Sequence, residues 1–159
     1  MRKILVAIDK SKGAVKSLEL VGQLFAGAKD LKITIFHALP NVPTEFWDDG
    51  HILAEGEEKA RREVVNKWQS NLELKLKPMF QAAIDVLTKG GINPQQIETK
   101  SSSELLDVAD NILNEIRTGD YQMLVVARHS YSKAERLIMG SVTSKIISRG
   151  AGIPVCVVE

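Results

Sequence analysis

Between Met123 and Ala127 the chain reads Met-Leu-Val-Val-Ala, an apolar run with no polar interruption. A strand with one wet face alternates, so a short, unbroken run rich in β-branched residues is the pattern of a strand covered on both faces inside a parallel sheet. The residues beyond Ala127 narrow the choice further. A polar stretch leads to Gly140-Ser141, which opens a helix with Val142, Ile146 and Ile147 on one face and Lys145 and Arg149 in its closing half. Gly150, Gly152 and Pro154 end that helix, and Val155 to Val158 supplies another covered strand. The helix start presents unpaired N–H groups and the positive end of its dipole, which favours an anion there.

This succession, with the helix start Gly140-Ser141-Val142-Thr143 and the final strand Pro154-Val155-Cys156-Val157-Val158, resembles the C-terminal signature of the universal stress protein family. Nucleotide-binding members of that family carry Gly, two residues, Gly, nine residues, then Gly followed by Ser or Thr. Laid on this chain, the pattern falls on Ala127, Ser130 and Gly140-Ser141, so the spacing is kept while the first two glycines are replaced. Ile4-Leu5-Val6-Ala7-Ile8-Asp9 is similar to the family's opening strand, whose terminal aspartate reaches the adenine of bound ATP in nucleotide-binding members.

Taken in order, Ile4 to Ile8 is a buried strand stopped by Asp9, and Lys10 to Gly13 turns into a helix whose Leu18, Val21, Gly22 and Phe25 form an apolar stripe. Leu31 to Leu39 completes a βαβ unit, closed by Pro40. Asn41 to Leu53 reads as a long connecting loop in which Phe46 and Trp47 pin the segment to the helices or cover a ligand. Glu55 to Leu87 is helical, with Val64, Val65, Trp68, Leu72, Leu76, Met79, Ala83 and Leu87 at helical spacing. Pro78 is expected to bend or split it, and Lys89-Gly90-Gly91 to stop it. Ile97 to Lys100 is a brief polar strand suited to a sheet edge. Ser101 to Glu104 offer caps for a helix carrying Leu105, Leu106, Val108, Ala109, Ile112, Leu113 and Ile116.

Strands separated by helices predict a single α/β domain over residues 1–159: a doubly wound open sheet of five mainly parallel strands with helices on both faces. The resemblance implies strand order 3-2-1-4-5, reversing between the strands that end at Asp9 and Ala127. Ligands of such sheets bind beyond the carboxyl ends of strands at that reversal. Ala7, Asp9, Ala38, Ala127, Arg128, Ser130, Gly140, Ser141, Val142 and Thr143 are therefore the candidate nucleotide-binding residues.

A triphosphate needs backbone N–H groups at close range, and glycine serves where a side chain blocks the approach or φ is positive. If Ala127 and Ser130 stand at positive φ, each costs about 1 to 3 kcal/mol; if the family's glycines serve clearance, alanine and serine cost much less. Arg128, His129, Ser130, Ser132, Lys133 and Arg136 bring charge and hydroxyls to an anion or belong to a solvated loop. Asp9 holds an adenine amino group or accepts amides from its own turn.

Charge and composition exclude other classes. The chain has 21 Lys and Arg against 20 Asp and Glu, so neither nucleic acid nor an anionic membrane is expected as a partner. The lone Cys156 lies in an apolar run and offers no disulfide framework, which suits a reducing, cytoplasmic setting. The apolar run after Met1-Arg2-Lys3 is too short for a signal peptide or a membrane span. His37, His51 and His129 are scattered, without metal-ligand spacing. No nucleophile elbow, Walker lysine motif or Rossmann fingerprint is present, and Asp9 lacks the neighbouring acids of a phosphoacceptor domain. The turn after Asp9 also lacks the Ser-Gly-Gly loop of adenine-nucleotide α-hydrolases.

The resemblance leaves two functions open. One is a stress protein with a degenerate nucleotide motif that acts through protein contacts as a homodimer, pairing through the edge strand Val155 to Val158. The other binds ATP with Mg as a conformational ligand and at most hydrolyses it slowly. The two replaced glycines favour the first.

Overall fold

In the computed structural model, which describes residues 1–39, 55–102, 107–128 and 140–159, each covered apolar run becomes a strand. The elements are β1 (Arg2–Ala7), α1 (Lys12–Phe25), β2 (Leu31–Ala38), α2 (Glu55–Lys89), β3 (Ile97–Ser102), α3 (Val108–Gly119), β4 (Met123–Ala127), α4 (Ser141–Arg149) and β5 (Val155–Val158). They build one five-stranded sheet in the order β3-β2-β1-β4-β5. All four neighbouring pairs are parallel. The order reverses between β1 and β4, as the resemblance implied.

Alternating side chains on the central strands feed two cores. Ile4, Val6, Ile33, Ile35 and Val125 pack with Leu18 and Val21 of α1 and Ala83 and Leu87 of α2. On the other face Leu5, Phe36, Leu124 and Val126 pack with Ile112, Leu113 and Ile116 of α3 and Ile146 of α4. Sheet strands buried on both sides read as continuous apolar runs for this reason. Polar β3 lies at one edge, where one flank needs no partner, and β5 lies at the other.

Helix α1 meets the chain just beyond α2 at Gly22 and Gly90: a Cβ built on Gly90 would lie 2.8 Å from the Cα of Gly22. The absence of side chains at both positions lets the two backbones touch. Helix α2 runs unbroken through Pro78, so of the two expected effects, a bend or a split, the split does not occur. At 1.5 Å per residue it is about 50 Å long, far longer than the strands it crosses. Only Leu76, Ala83 and Leu87 of its predicted stripe are therefore buried, while Val64 is 48% exposed.

Two local expectations change. Ser101 and Ser102 are the last residues of β3, not caps; Asp107 caps α3, its side chain accepting from Ala109 N at 2.8 Å. The edge strand keeps the serines because its pairing with β2 continues to Ala38 and Ser102. Ile147 is exposed, since the short α4 buries only Thr143 and Ile146. The proposed loop at Asn41 to Leu53, with Phe46 and Trp47, and the helical Leu105 and Leu106 lie outside the described residues.

Candidate functional site

Parallel pairing sets the level at which β1 and β4 end. Ala7 stands opposite Val126, and Ala127 opposite Val158, so Ile8-Asp9 and Ala127-Arg128 leave the sheet side by side. Because β4 and β5 run in the same direction, α4 must return from the carboxyl end to the amino end of the sheet, which puts its start, Gly140-Ser141, at the same rim. Ala38 ends β2 opposite Ser102. The sheet thus gathers Ala7, Asp9, Ala38, Ala127, Arg128 and Gly140 to Thr143 at one end. Ser130, with His129, Ser132, Lys133 and Arg136, lies outside the described residues.

The turn after β1 is held by Asp9, whose Oδ1 accepts from Ser11 N at 2.8 Å. That is the self-bracing role of an aspartate in a tight turn. Ile8 is tied to β2 twice: its N–H donates to Phe36 O at 2.9 Å, and its carbonyl takes a hydrogen bond from Nδ1 of His37 at 2.8 Å. A carbonyl only accepts, so the His37 ring carries its proton on Nδ1 in this contact.

Helix α1 then starts hard against β4. A Cβ placed on Gly13 would lie 3.0 Å from the Cβ of Ala127 and 3.5 Å from both Arg128 O and Ser11 Oγ. Ala127 itself is the last residue of an extended strand; among the described residues only Asp120, at φ 55°, is a non-glycine with positive φ. Of the two costs considered for this position, left-handed strain is thereby removed, and clearance is what decides.

Arg128 comes next, its N–H donating to Val158 O at 2.7 Å. Its guanidinium, only 17% exposed, pairs through an Nη with the carboxylate of Glu159, which is 73% exposed. Lys16 of α1 donates to the main-chain oxygen of Glu159 at 3.2 Å. Sequence reasoning named Arg128 but missed Glu159, because the pairing depends on β4 and β5 lying in register.

Around the rim, Ala7, Ala38 and Val142 are half-buried and pack on the core beneath α3 and α4. Ser141 is exposed at the start of α4, where Ser144 N donates to Gly140 O at 2.9 Å, whereas Thr143 is buried at 3%. Two ion pairs, Lys145 with Asp107 and Arg149 with Asp110, fasten α4 to α3. The Lys145 ammonium, together with the Ala109 amide, outweighs burial and holds the Asp107 carboxyl below its ordinary value.

Two buried polar atoms at this end, Ser11 Oγ and Arg128 Nε, have no hydrogen-bond partner among the described residues. Buried donors and acceptors are nearly always satisfied. A buried Nε–H donor and a buried hydroxyl at one end of the sheet suit a ligand rich in acceptor oxygens, and a phosphate has that chemistry. No group of three or more His, Cys, Asp or Glu able to hold a metal occurs among the described residues. No helix among them is long and apolar enough to cross a membrane.

Comparison with known proteins bears on this corner. The model of the universal stress protein family matches residues 1–159. Among solved structures, the hypothetical protein MJ0577 is 20% identical with a TM-score of 0.68, over 99% of this chain and 94% of its own. The universal stress protein of Archaeoglobus fulgidus in complex with dAMP is 18% identical with a TM-score of 0.60, over 100% of this chain and 98% of its own. A universal stress protein in complex with cAMP is 19% identical with a TM-score of 0.56, over 99% of this chain and 96% of its own. A search of curated proteins returns no match.

Proposed function

Because the chain belongs to the universal stress protein family, we propose that the end of its sheet between β1 and β4 binds an adenine nucleotide as a conformational ligand. The extended backbone of Ala127 carries this reading. The replaced glycines had favoured an empty site, and at this position alanine costs no left-handed strain. The phosphate would meet the amides that open α4 at Gly140 and Ser141 together with the Arg128 guanidinium. The base would lie toward Asp9 and Ala38. Similar folds with dAMP and cAMP bound support an adenine ligand.

Thermal unfolding of the purified protein with and without millimolar AMP or ATP, each with and without magnesium, tests the reading. A ligand present at about one hundred times its dissociation constant adds about 2.7 kcal/mol. For a chain of this size that raises the midpoint by roughly 5 to 11 °C. An unchanged midpoint with both nucleotides rejects the proposal.

The edge strand β5 supports a second, compatible role. Among the described residues it has a strand neighbour only in β4, and all four of its residues stay half-exposed. A short apolar edge of this kind pairs readily with a second copy about a two-fold axis, which would make the protein a dimer acting through protein contacts. Sedimentation equilibrium of the wild type and of Val157→Lys checks it. A monomeric wild type removes the dimer.

A further inference from the structure

Resting on the nucleotide reading, we infer that Glu159 is an internal counter-ion that stands in for the ligand's phosphate on Arg128 and leaves when the phosphate arrives. The Arg128 guanidinium is largely buried and always charged, so it requires an anion whether or not a ligand is bound. Glu159 supplies that anion from the next strand in the sheet: Ala127 stands opposite Val158, so the residues one step beyond them meet.

The two partners are unequally held. Glu159 is 73% exposed against 17% for Arg128, so its carboxylate returns to water easily while the guanidinium stays in place. Its main chain is anchored by Lys16 Nζ and by the neighbouring Arg128 N to Val158 O bond. Release therefore needs only rotation of the Glu159 side chain, without loss of β5.

The pair is also incomplete. Among the described residues, Glu159 takes hydrogen bonding from one Nη, and Nε of Arg128 is buried without a partner, as is Ser11 Oγ across the Gly13 contact. A tetrahedral phosphate offers more acceptor oxygens than one carboxylate and can take the fork of the guanidinium as a pair. Exchanging Glu159 for phosphate would satisfy donors that the internal pair leaves unmade. Glu159 then lowers affinity for anionic ligands and leaves affinity for the uncharged nucleoside alone.

Titration calorimetry of the full chain with AMP and with adenosine, for wild type and Glu159→Gln, tests this. The glutamine variant is expected to bind AMP about three- to tenfold more tightly, with adenosine unchanged. If AMP binds both proteins equally, or adenosine gains as much as AMP, the counter-ion role is overturned while the nucleotide reading stands. If neither ligand binds either protein, the nucleotide reading fails, and inorganic pyrophosphate becomes the probe. Binding by Glu159→Gln but not by wild type then upholds the exchange, and binding by neither, or equally by both, overturns it.

Discussion

Gly13 and Ala127 touch across the junction of α1 and β4: a Cβ on Gly13 would stand 3.0 Å from the alanine methyl. Ordinary carbon contacts are longer than this. Glycine at the start of the first helix and a small residue at the end of the fourth strand are therefore one packing requirement, shared by two places more than a hundred residues apart.

Gly13→Ala should destabilise the protein. The substitution gains about 0.5 to 1 kcal/mol of helix preference but forces an overpacked contact costing about 1 to 3 kcal/mol. In the Gly13→Ala, Ala127→Gly double variant the space returns. A urea-unfolding cycle over the four proteins should give a favourable coupling of at least about 0.5 kcal/mol, and purely additive losses would contradict the contact.

Ala127→Gly by itself should not create or much improve nucleotide binding. The strand backbone there is already extended, so glycine removes no strain and adds chain flexibility. Calorimetry with AMP should show a change of less than about twofold, well under the 1.4 kcal/mol that a tenfold change represents. A large gain would mean that the methyl group obstructs the ligand.

Asp107 joins two duties, capping α3 and pairing with Lys145 of α4. Asp107→Ala should cost about 0.5 to 2 kcal/mol, and Asp107→Asn less, since asparagine also caps. The folded carboxyl lies below its ordinary value of 3.8, so its charge stabilises the fold above that pH and loses effect as the pH falls through the lower folded value. The stability difference between wild type and Asp107→Asn should accordingly be full near neutrality and shrink below about pH 4. A constant difference down to pH 2 would show that the charge contributes nothing.

Tyr121 donates its hydroxyl to Glu115 Oε1 at 2.8 Å, and Lys100 holds Oε2 of the same buried carboxylate at 2.6 Å. Losing a hydrogen bond to a charged group costs about 1.5 to 3 kcal/mol, so Tyr121→Phe should fall in that range at pH 7. Burial, reinforced by Glu115, pushes the phenol well above its ordinary value of 10.0. A raised folded value means that this stability is complete below pH 10 and declines as the pH rises past it. Wild type should lose stability between about pH 10 and 11 more steeply than Tyr121→Phe, by hydrogen exchange or chemical unfolding. Parallel curves would place the phenol in contact with water.

Much of the architecture was legible in the chain itself. Unbroken apolar runs at Ile4, Met123 and Val155 announced strands covered on both faces, Leu31 to Leu39 with Ile33, Ile35 and Phe36 completed a βαβ unit, and the helical spacing of Leu18, Val21 and Gly22 announced α1, because these patterns are set by backbone periods of two and 3.6 residues. The strand order implied by the family resemblance put Asp9, Ala127, Arg128 and Gly140 at one strand-end rim. Other features required coordinates. Whether Ala127 stood at positive φ, whether Gly22 met Gly90, and that Arg128 would pair with Glu159 were decided by the register of parallel strands and the crossing of helices. Those contacts join residues 31 or more positions apart, and no period in the sequence reports on them; only the closing of the sheet brings such groups within reach.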